Sequence, residues 1–202
     1  MNIFLIRHGQ KMENDKNHES LELTEVGHKQ ADLLGKRLSK YNIEKIYSSN
    51  MIRAIQTAEG INKYLGVEII TKPELREIHM GDCDIHGWSY LEENYPSFIE
   101  EFKKHKSDLR YPPNGECGDD VWQRAKDVIF EIADTNYESV AVVTHGGVIR
   151  SLICGLLNID QNRRFYLGNP PENCSISMIK YNKKNREFFL HSFNDYAHLE
   201  IE

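Results

Sequence analysis

A chain of 202 residues is the length of one globular domain, long enough to bury most of its surface without disulfide or metal staples. Its composition, 40% hydrophobic and 28% charged with only 6 prolines and 13 glycines, excludes wholesale disorder, collagen-like repeats and low-complexity tracts. A net charge of −6 argues against nucleic acid as the main partner, because phosphate-backbone binding needs a dominant basic surface, yet it permits a small anion in a locally positive cleft.

In chain order, Asn2 to Ile6 is a short, continuously apolar run, the pattern of a strand buried on both faces. It stops at Arg7-His8-Gly9, too early and without the basic start that a signal peptide requires. From Thr24, a suitable N-cap, helical spacing carries Val26, Leu33, Leu34 and Leu38. Ile43 to Ser48 reads as a second strand, Met51 to Leu65 as a second amphipathic helix, and Val67 to Thr71 as a third strand closed by Pro73. Residues 77–113 are irregular and rich in aromatics, with roughly Tyr90 to Lys106 expected to be helical. A further helical stripe follows from Asp119, and Ser139 to Val143 is the clearest strand, ending in Thr144-His145-Gly146-Gly147. Val148 to Leu157 reads as a helix, and Ser175 to Lys180 with Glu187 to Phe193 as a hairpin at the sheet edge. Strands alternating with helices imply an α/β fold: one three-layer domain, a mostly parallel central sheet with helices on both faces.

No apolar run approaches the ~20 residues of a membrane span, so no membrane partner and a cytoplasmic location are expected. Cys83, Cys117, Cys154 and Cys174 are widely separated, which suggests reduced thiols rather than a zinc site or redox pair.

Two core strands thus end alike, in Arg7-His8-Gly9 and Thr144-His145-Gly146, and ligands of open α/β sheets bind outside the carboxyl ends of the strands. One such histidine reads most simply as a loop residue; two of them, with an adjacent arginine, reverse that preference. The glycines are expected to allow close backbone approach and positive φ. Arg53 opens the second helix, where backbone N–H groups favour anions, although a lone arginine is more commonly a solvated face residue. Glu77, in Leu75-Arg76-Glu77, is a candidate proton donor beside these groups.

These residues carry a resemblance. The segments Leu5-Ile6-Arg7-His8-Gly9-Gln10, 23–31, 46–58, Leu75-Arg76-Glu77, 142–150 and Asn173-Cys174-Ser175, in that order, resemble the histidine phosphatase superfamily, in its phosphoglycerate-mutase-like branch. The resemblance implies that His8 is the nucleophile, with its second ring nitrogen tied to a backbone carbonyl. It implies that Arg7, Arg53 and His145 clamp the phosphoryl group, aided by Asn14 and Gly146. Glu77 becomes the general acid and base, no metal or other cofactor is needed, and the substrate is a small phosphorylated molecule. The chain departs from the family pattern at Lys11, where Thr is usual, and after Glu77, where only Gly81 of a Gly-x-Trp-Glu-Gly string is kept. Gly115-Glu116-Cys117 stands for a frequent Gly-Glu-Ser. Lys11 is equally a phosphate contact or a solvated residue.

The length resembles the short members, such as α-ribazole phosphatase and broad-specificity phosphomonoesterases, and favours hydrolysis over mutase-type phosphoryl transfer. A non-catalytic phospholigand-binding domain is a third reading, disfavoured because every implied catalytic group is present. Residues 79–113 are expected to form a lid and specificity segment, with Trp88 and Tyr90 able to stack on a leaving group or to pack in the core. His79 and His86 carry no assigned role. Lys103-Lys104-His105-Lys106 reads as a solvated helix face or, less readily, a reader of a second anionic group. A homodimer is expected only on general frequency.

Overall fold

The computed structural model describes residues 1–13, 20–168 and 170–199. Six strands form one sheet: β1 (Asn2–Arg7), β2 (Lys45–Ser48), β3 (Ile69–Thr71), β4 (Ser139–Thr144), β5 (Ile176–Asn182) and β6 (Glu187–Asp195), in the spatial order β3-β2-β4-β1-β5-β6. The first four are mutually parallel, while β5 runs antiparallel to β1 and pairs with β6 as the edge hairpin. Strand alternation divides the core between two faces. Ile3, Leu5, Val140 and Val142 point to one side and Phe4, Ile6, Ala141 and Val143 to the other, all of them buried. A strand covered on both faces has no solvated side to mark with polar residues, which explains the unbroken apolar runs.

Helices α1 (Glu25–Leu38) and α2 (Ile52–Leu65) cover the Phe4 face through Ala31, Leu34, Ala58 and Ile61. Three short helices then follow, α3 (Cys83–His86), α4 (Trp88–Asn94) and α5 (Pro96–Phe102), before α6 (Gly118–Asp134) and α7 (Gly146–Leu156) cover the Ile3 face through Ile129, Ile132, Ile149 and Leu152. Thr24 caps α1 as expected, its hydroxyl accepting from the Gly27 N–H.

Two expectations need correction. The single helix predicted over Tyr90 to Lys106 is broken at Tyr95-Pro96: proline lacks the N–H that would continue α4 and disfavours helical geometry before it, so Pro96 instead opens α5. The last main helix begins at Gly146, directly after His145, two residues earlier than its apolar periodicity suggested. Cys83, Leu91, Ile99 and Tyr111 gather the three short helices into a small core of their own.

Packing of α7 on α6 depends on a missing side chain. A Cβ at Gly155 would lie 2.2 Å from the Trp122 indole, far inside van der Waals contact. Gly155→Ala should therefore cost about 1–3 kcal/mol despite its better helix propensity, and lower the melting temperature by several degrees. A variant melting at or above the wild type would show that the interface can relax.

Candidate active site

Register places the chemistry. Parallel pairing of β1 with β4 sets Arg7 opposite Thr144, so His8 and His145 leave the sheet at the same level, and the His8 N–H donates to the Thr144 carbonyl at 3.0 Å. On the other side of β4, Ser48 lies opposite Val143, and the Ser49 N–H donates to the Val143 carbonyl at 2.9 Å. The two imidazoles meet with ring centroids 5.1 Å apart.

His8 is almost completely buried, and its Nδ1 lies 2.7 Å from the Gly9 carbonyl oxygen. A carbonyl can only accept, so Nδ1 carries the proton and Nε2 presents its lone pair. Arg53, on the first turn of α2, donates Nε–H to that Nε2 at 3.3 Å. Burial, then the guanidiniums of Arg53 and Arg7, hold His8 well below the usual imidazole pKa, and it is neutral near neutral pH. His145 is also fully buried and depressed, by burial and then by His8 and Arg53. Its Nε2 meets the Ser49 hydroxyl at 2.9 Å, while Nδ1 is buried with no partner.

Arg7 donates one Nη to the Pro171 carbonyl and leaves its buried Nε unpartnered. The helix start at Gly146 adjoins it: a Cβ built there would sit 3.7 Å from Arg7 Nε. Glu77 anchors one carboxylate oxygen on the Ile78 N–H at 3.0 Å. Its backbone is held from two sides. Thr144 Oγ1 donates to the Leu75 carbonyl at 2.7 Å, and Arg124, paired with Glu116 at 2.7 Å, donates to the Glu77 carbonyl at 3.1 Å.

Arg7, His8, Lys11, Arg53, Glu77 and Gly146 all line one cavity of about 680 Å³. Lys11 is half-buried there, so it belongs to the cavity wall rather than to a solvated face. Asn14 lies outside the described residues. Trp88 packs on Phe102 with centroids 5.4 Å apart, and Tyr90 on His86 at 4.5 Å, so the aromatics lining the cavity are instead Phe102, Tyr111 and Phe165. Lys103 and Lys104 pair with Glu92, Glu100 and Glu101 on an exposed face, and His105 alone of that run reaches the cavity, stacked on Phe165. His79 also lines it, its Nε2 3.8 Å from Asp84, whereas His86 does not. Among the described residues no group of three or more His, Cys, Asp or Glu is placed to hold a metal ion, and no helix is long and apolar enough to cross a membrane.

The glycine expectation is corrected in part. Neither Gly9 nor Gly146 has positive φ; Gly9 is needed for close approach, since its Cβ would meet the Gly27 carbonyl at 2.7 Å. The more demanding position at α7 is Gly147, where a Cβ would stand 2.6 Å from the Glu77 carboxylate. Sequence reading passed over Gly147, Ser49, Thr57 and Arg124. The Thr57 hydroxyl accepts from the Gly9 N–H at 3.0 Å and so steadies the His8 loop, but nothing in a helical threonine announces that contact. Repetition of the Gly-Gly after His145 was the one available signal for Gly147.

Known proteins share the sequence pattern and the fold of this chain. Residues 3–195 match the family model of the histidine phosphatase superfamily, branch 1. Phosphoglycerate mutase-like protein 4 of Arabidopsis thaliana is 36% identical over 159 residues, 74% of this chain and 68% of that protein. The metal-independent phosphoserine phosphatase of Arabidopsis thaliana is 30% identical over 204 residues, 98% of this chain and 82% of that protein. Among solved structures, YhfR of Bacillus stearothermophilus superimposes with a TM-score of 0.88 at 27% identity, covering 98% of this chain and 99% of its own.

Buried neutral histidines make stability pH-dependent. His8 and His145 titrate well below the unfolded value of ~6.5, and His198, half-buried beside Arg37, is held down to about 4 by that burial and then by the guanidinium. Between those values the unfolded chain binds more protons than the folded one, so stability is full above about pH 6.5 and falls as pH drops through that value. Urea midpoints should decline from pH 7.5 to 5.5, and His8→Asn should flatten the decline; an unchanged slope would contradict the neutral, buried assignment. The match to the family model over nearly the whole chain and the shared fold lead to one statement: the chain belongs to the histidine phosphatase superfamily, branch 1.

Proposed function

We propose that the protein is a metal-independent phosphomonoesterase that hydrolyses a small phosphorylated metabolite through a phosphohistidine on His8. The observation that carries this reading is the state of the His8 ring, with Nδ1–H spent on the Gly9 carbonyl and the unprotonated Nε2 presenting its lone pair beside the Arg53 guanidinium. Relatives named as phosphatases, including a metal-independent phosphoserine phosphatase, support the reaction class.

The steps follow from the residues. A phosphomonoester enters with its phosphoryl oxygens toward Arg7, Arg53, the free Nδ1 of His145 and the α7 N-terminus at Gly146. Arg53 Nε–H, which meets His8 Nε2, transfers its hydrogen bond to a phosphoryl oxygen and frees the lone pair for attack. The Nε2–P bond forms as the P–O bond breaks, and charge shifting onto the equatorial oxygens meets fixed donors. The Glu77 carboxyl gives its proton to the departing oxygen. Glu77 then takes a proton from water, the resulting hydroxide attacks phosphorus, and neutral His8 leaves. The fixed positive charge of Arg7 and Arg53 supplies the field that a divalent ion supplies in other phosphatases, which is the basis for metal independence. The α3–α5 segment, residues 79–113, would act as the lid and specificity element, since Phe102 and Tyr111 face the cavity.

Phosphate release measured in EDTA tests the reading. Wild type should turn over p-nitrophenyl phosphate, and His8→Ala should abolish it. In kcat/KM, which reports the steps through P–O cleavage, Glu77→Gln should slow an alkyl phosphate by a factor of about 10² or more, with a much smaller loss on p-nitrophenyl phosphate, whose leaving group needs no proton. Equal losses in kcat/KM on both substrates would remove Glu77 from the role of acid, and turnover surviving His8→Ala would overturn the mechanism.

A further inference from the structure

Glu77 sits on a connection between a single 3-10 turn, Pro73–Leu75, and α3, where neither helix nor strand fixes the backbone. One ion pair takes over that task. Arg124, on α6, donates one Nη to the Glu74 carbonyl at 2.5 Å and the other to the Glu77 carbonyl at 3.1 Å. Its Nε and that second Nη also reach the two carboxylate oxygens of Glu116, at 2.7 and 2.9 Å. Glu116 completes the bracket: its carboxylate accepts from the His79 N–H at 2.9 Å, and its own N–H donates to the His79 carbonyl at 2.7 Å. Such an approach needs the glycine before it, because a Cβ at Gly115 would lie 2.7 Å from the His79 carbonyl oxygen. Residues 74, 77 and 79 are thus held by two side chains on either side of the α6 N-cap, Cys117, and α6 is itself packed into the core through Val121, Ala125 and Val128.

Neither Arg124 nor Glu116 lines the cavity, so neither meets the substrate. Their hydrogen bonds fall on the main chain to either side of the Glu77 carboxyl, and on none of Arg7, His8, Arg53 and His145. We infer that Arg124 and Glu116 are positioning residues for the proton-transfer step, fixing where the Glu77 carboxyl meets the leaving oxygen. This inference rests on the phosphatase reading above and deepens it at the acid. Two features make the backbone the lever. The Glu77 carboxylate is anchored on the very next N–H, that of Ile78, so it travels with its own main chain. Gly147 closes the space beside it, where a Cβ would stand 2.6 Å away, so a displaced carboxylate has little room to recover by rotation. Proton donation requires hydrogen-bond reach, and a misplacement of about 1 Å costs on the order of 10² in rate. The pair acts through geometry rather than net charge, since Glu116 balances Arg124. Burial pushes the Glu116 carboxyl up, but its bonds to Arg124 and the His79 N–H outweigh that and hold it below the usual carboxylate range, so the pair stays ionic near neutral pH.

Leaving groups separate the acid from the phosphoryl pocket. In kcat/KM, Arg124→Met should slow an alkyl phosphate by roughly 10- to 100-fold and leave p-nitrophenyl phosphate, whose leaving group needs no proton, nearly unchanged. Arg124→Lys, which keeps the charge but not the fork, should recover part of the alkyl rate. Introduced beside Glu77→Gln, Arg124→Met should cost the alkyl phosphate nothing further, because the group it positions is gone. Glu116→Gln, almost the same shape, should show the same leaving-group pattern in milder form, and it carries the test if Arg124→Met fails to fold. Equal losses on the two esters in folded variants, or losses that add to that of Glu77→Gln, would make the pair structural only and overturn the inference. An unchanged alkyl rate in the folded variants would overturn it as well. Absence of His8-dependent turnover of p-nitrophenyl phosphate by the wild type would instead overturn the phosphatase reading beneath it.

Discussion

Parallel pairing of β1 with β4 is the constraint from which the rest of the cavity follows. Because Arg7 and Thr144 end their strands opposite one another, the two histidines that follow enter the same space, and each next residue is a glycine. The same strand ends recruit the other groups. Ser49, at the end of β2, fixes one nitrogen of His145, and Thr144 holds the backbone two residues ahead of Glu77. The scaffold's hydrophobic burial, divided evenly between its two faces, underwrites the placement of polar groups that are themselves costly to bury.

That cost is concentrated electrostatically. Arg7, Arg53 and Arg150 are buried together, and burial lowers the proton affinity of each. Such an arrangement favours an anion, which relieves the repulsion beside the unpartnered polar atoms Arg7 Nε, His145 Nδ1 and Arg150 Nε. The same field keeps His8 neutral, the state in which a histidine can attack phosphorus. Catalytic and binding tendencies thus have one physical origin.

Much of this was legible in the amino-acid order. Continuous apolar runs reported strands covered on both faces, Thr24 reported a helix start, and Arg7-His8-Gly9 with Thr144-His145-Gly146 reported a shared crevice because strand ends are where parallel sheets bind ligands. Less legible was whatever depends on contacts between distant segments. Gly147 makes room for Glu77, seventy residues earlier in the chain, and Arg124 reaches the Glu77 carbonyl from the middle of α6. Trp88 and Tyr90 had the right residue types for a leaving-group platform, yet Trp88 packs on Phe102 and Tyr90 on His86, and Phe102 and Tyr111 line the cavity instead.

The central claim is that His8 Nε2 attacks phosphorus, and a quenched reaction tests it most directly. Enzyme mixed with a good phosphate ester in EDTA and stopped in alkali within the first turnovers should carry an acid-labile, base-stable phosphate. Peptide mapping and phosphorus NMR should place that phosphate on Nε2 of His8, since Nδ1 is held by the Gly9 carbonyl. A phosphate found on another residue or on Nδ1, or steady hydrolysis with no phosphoenzyme formed, would contradict the account.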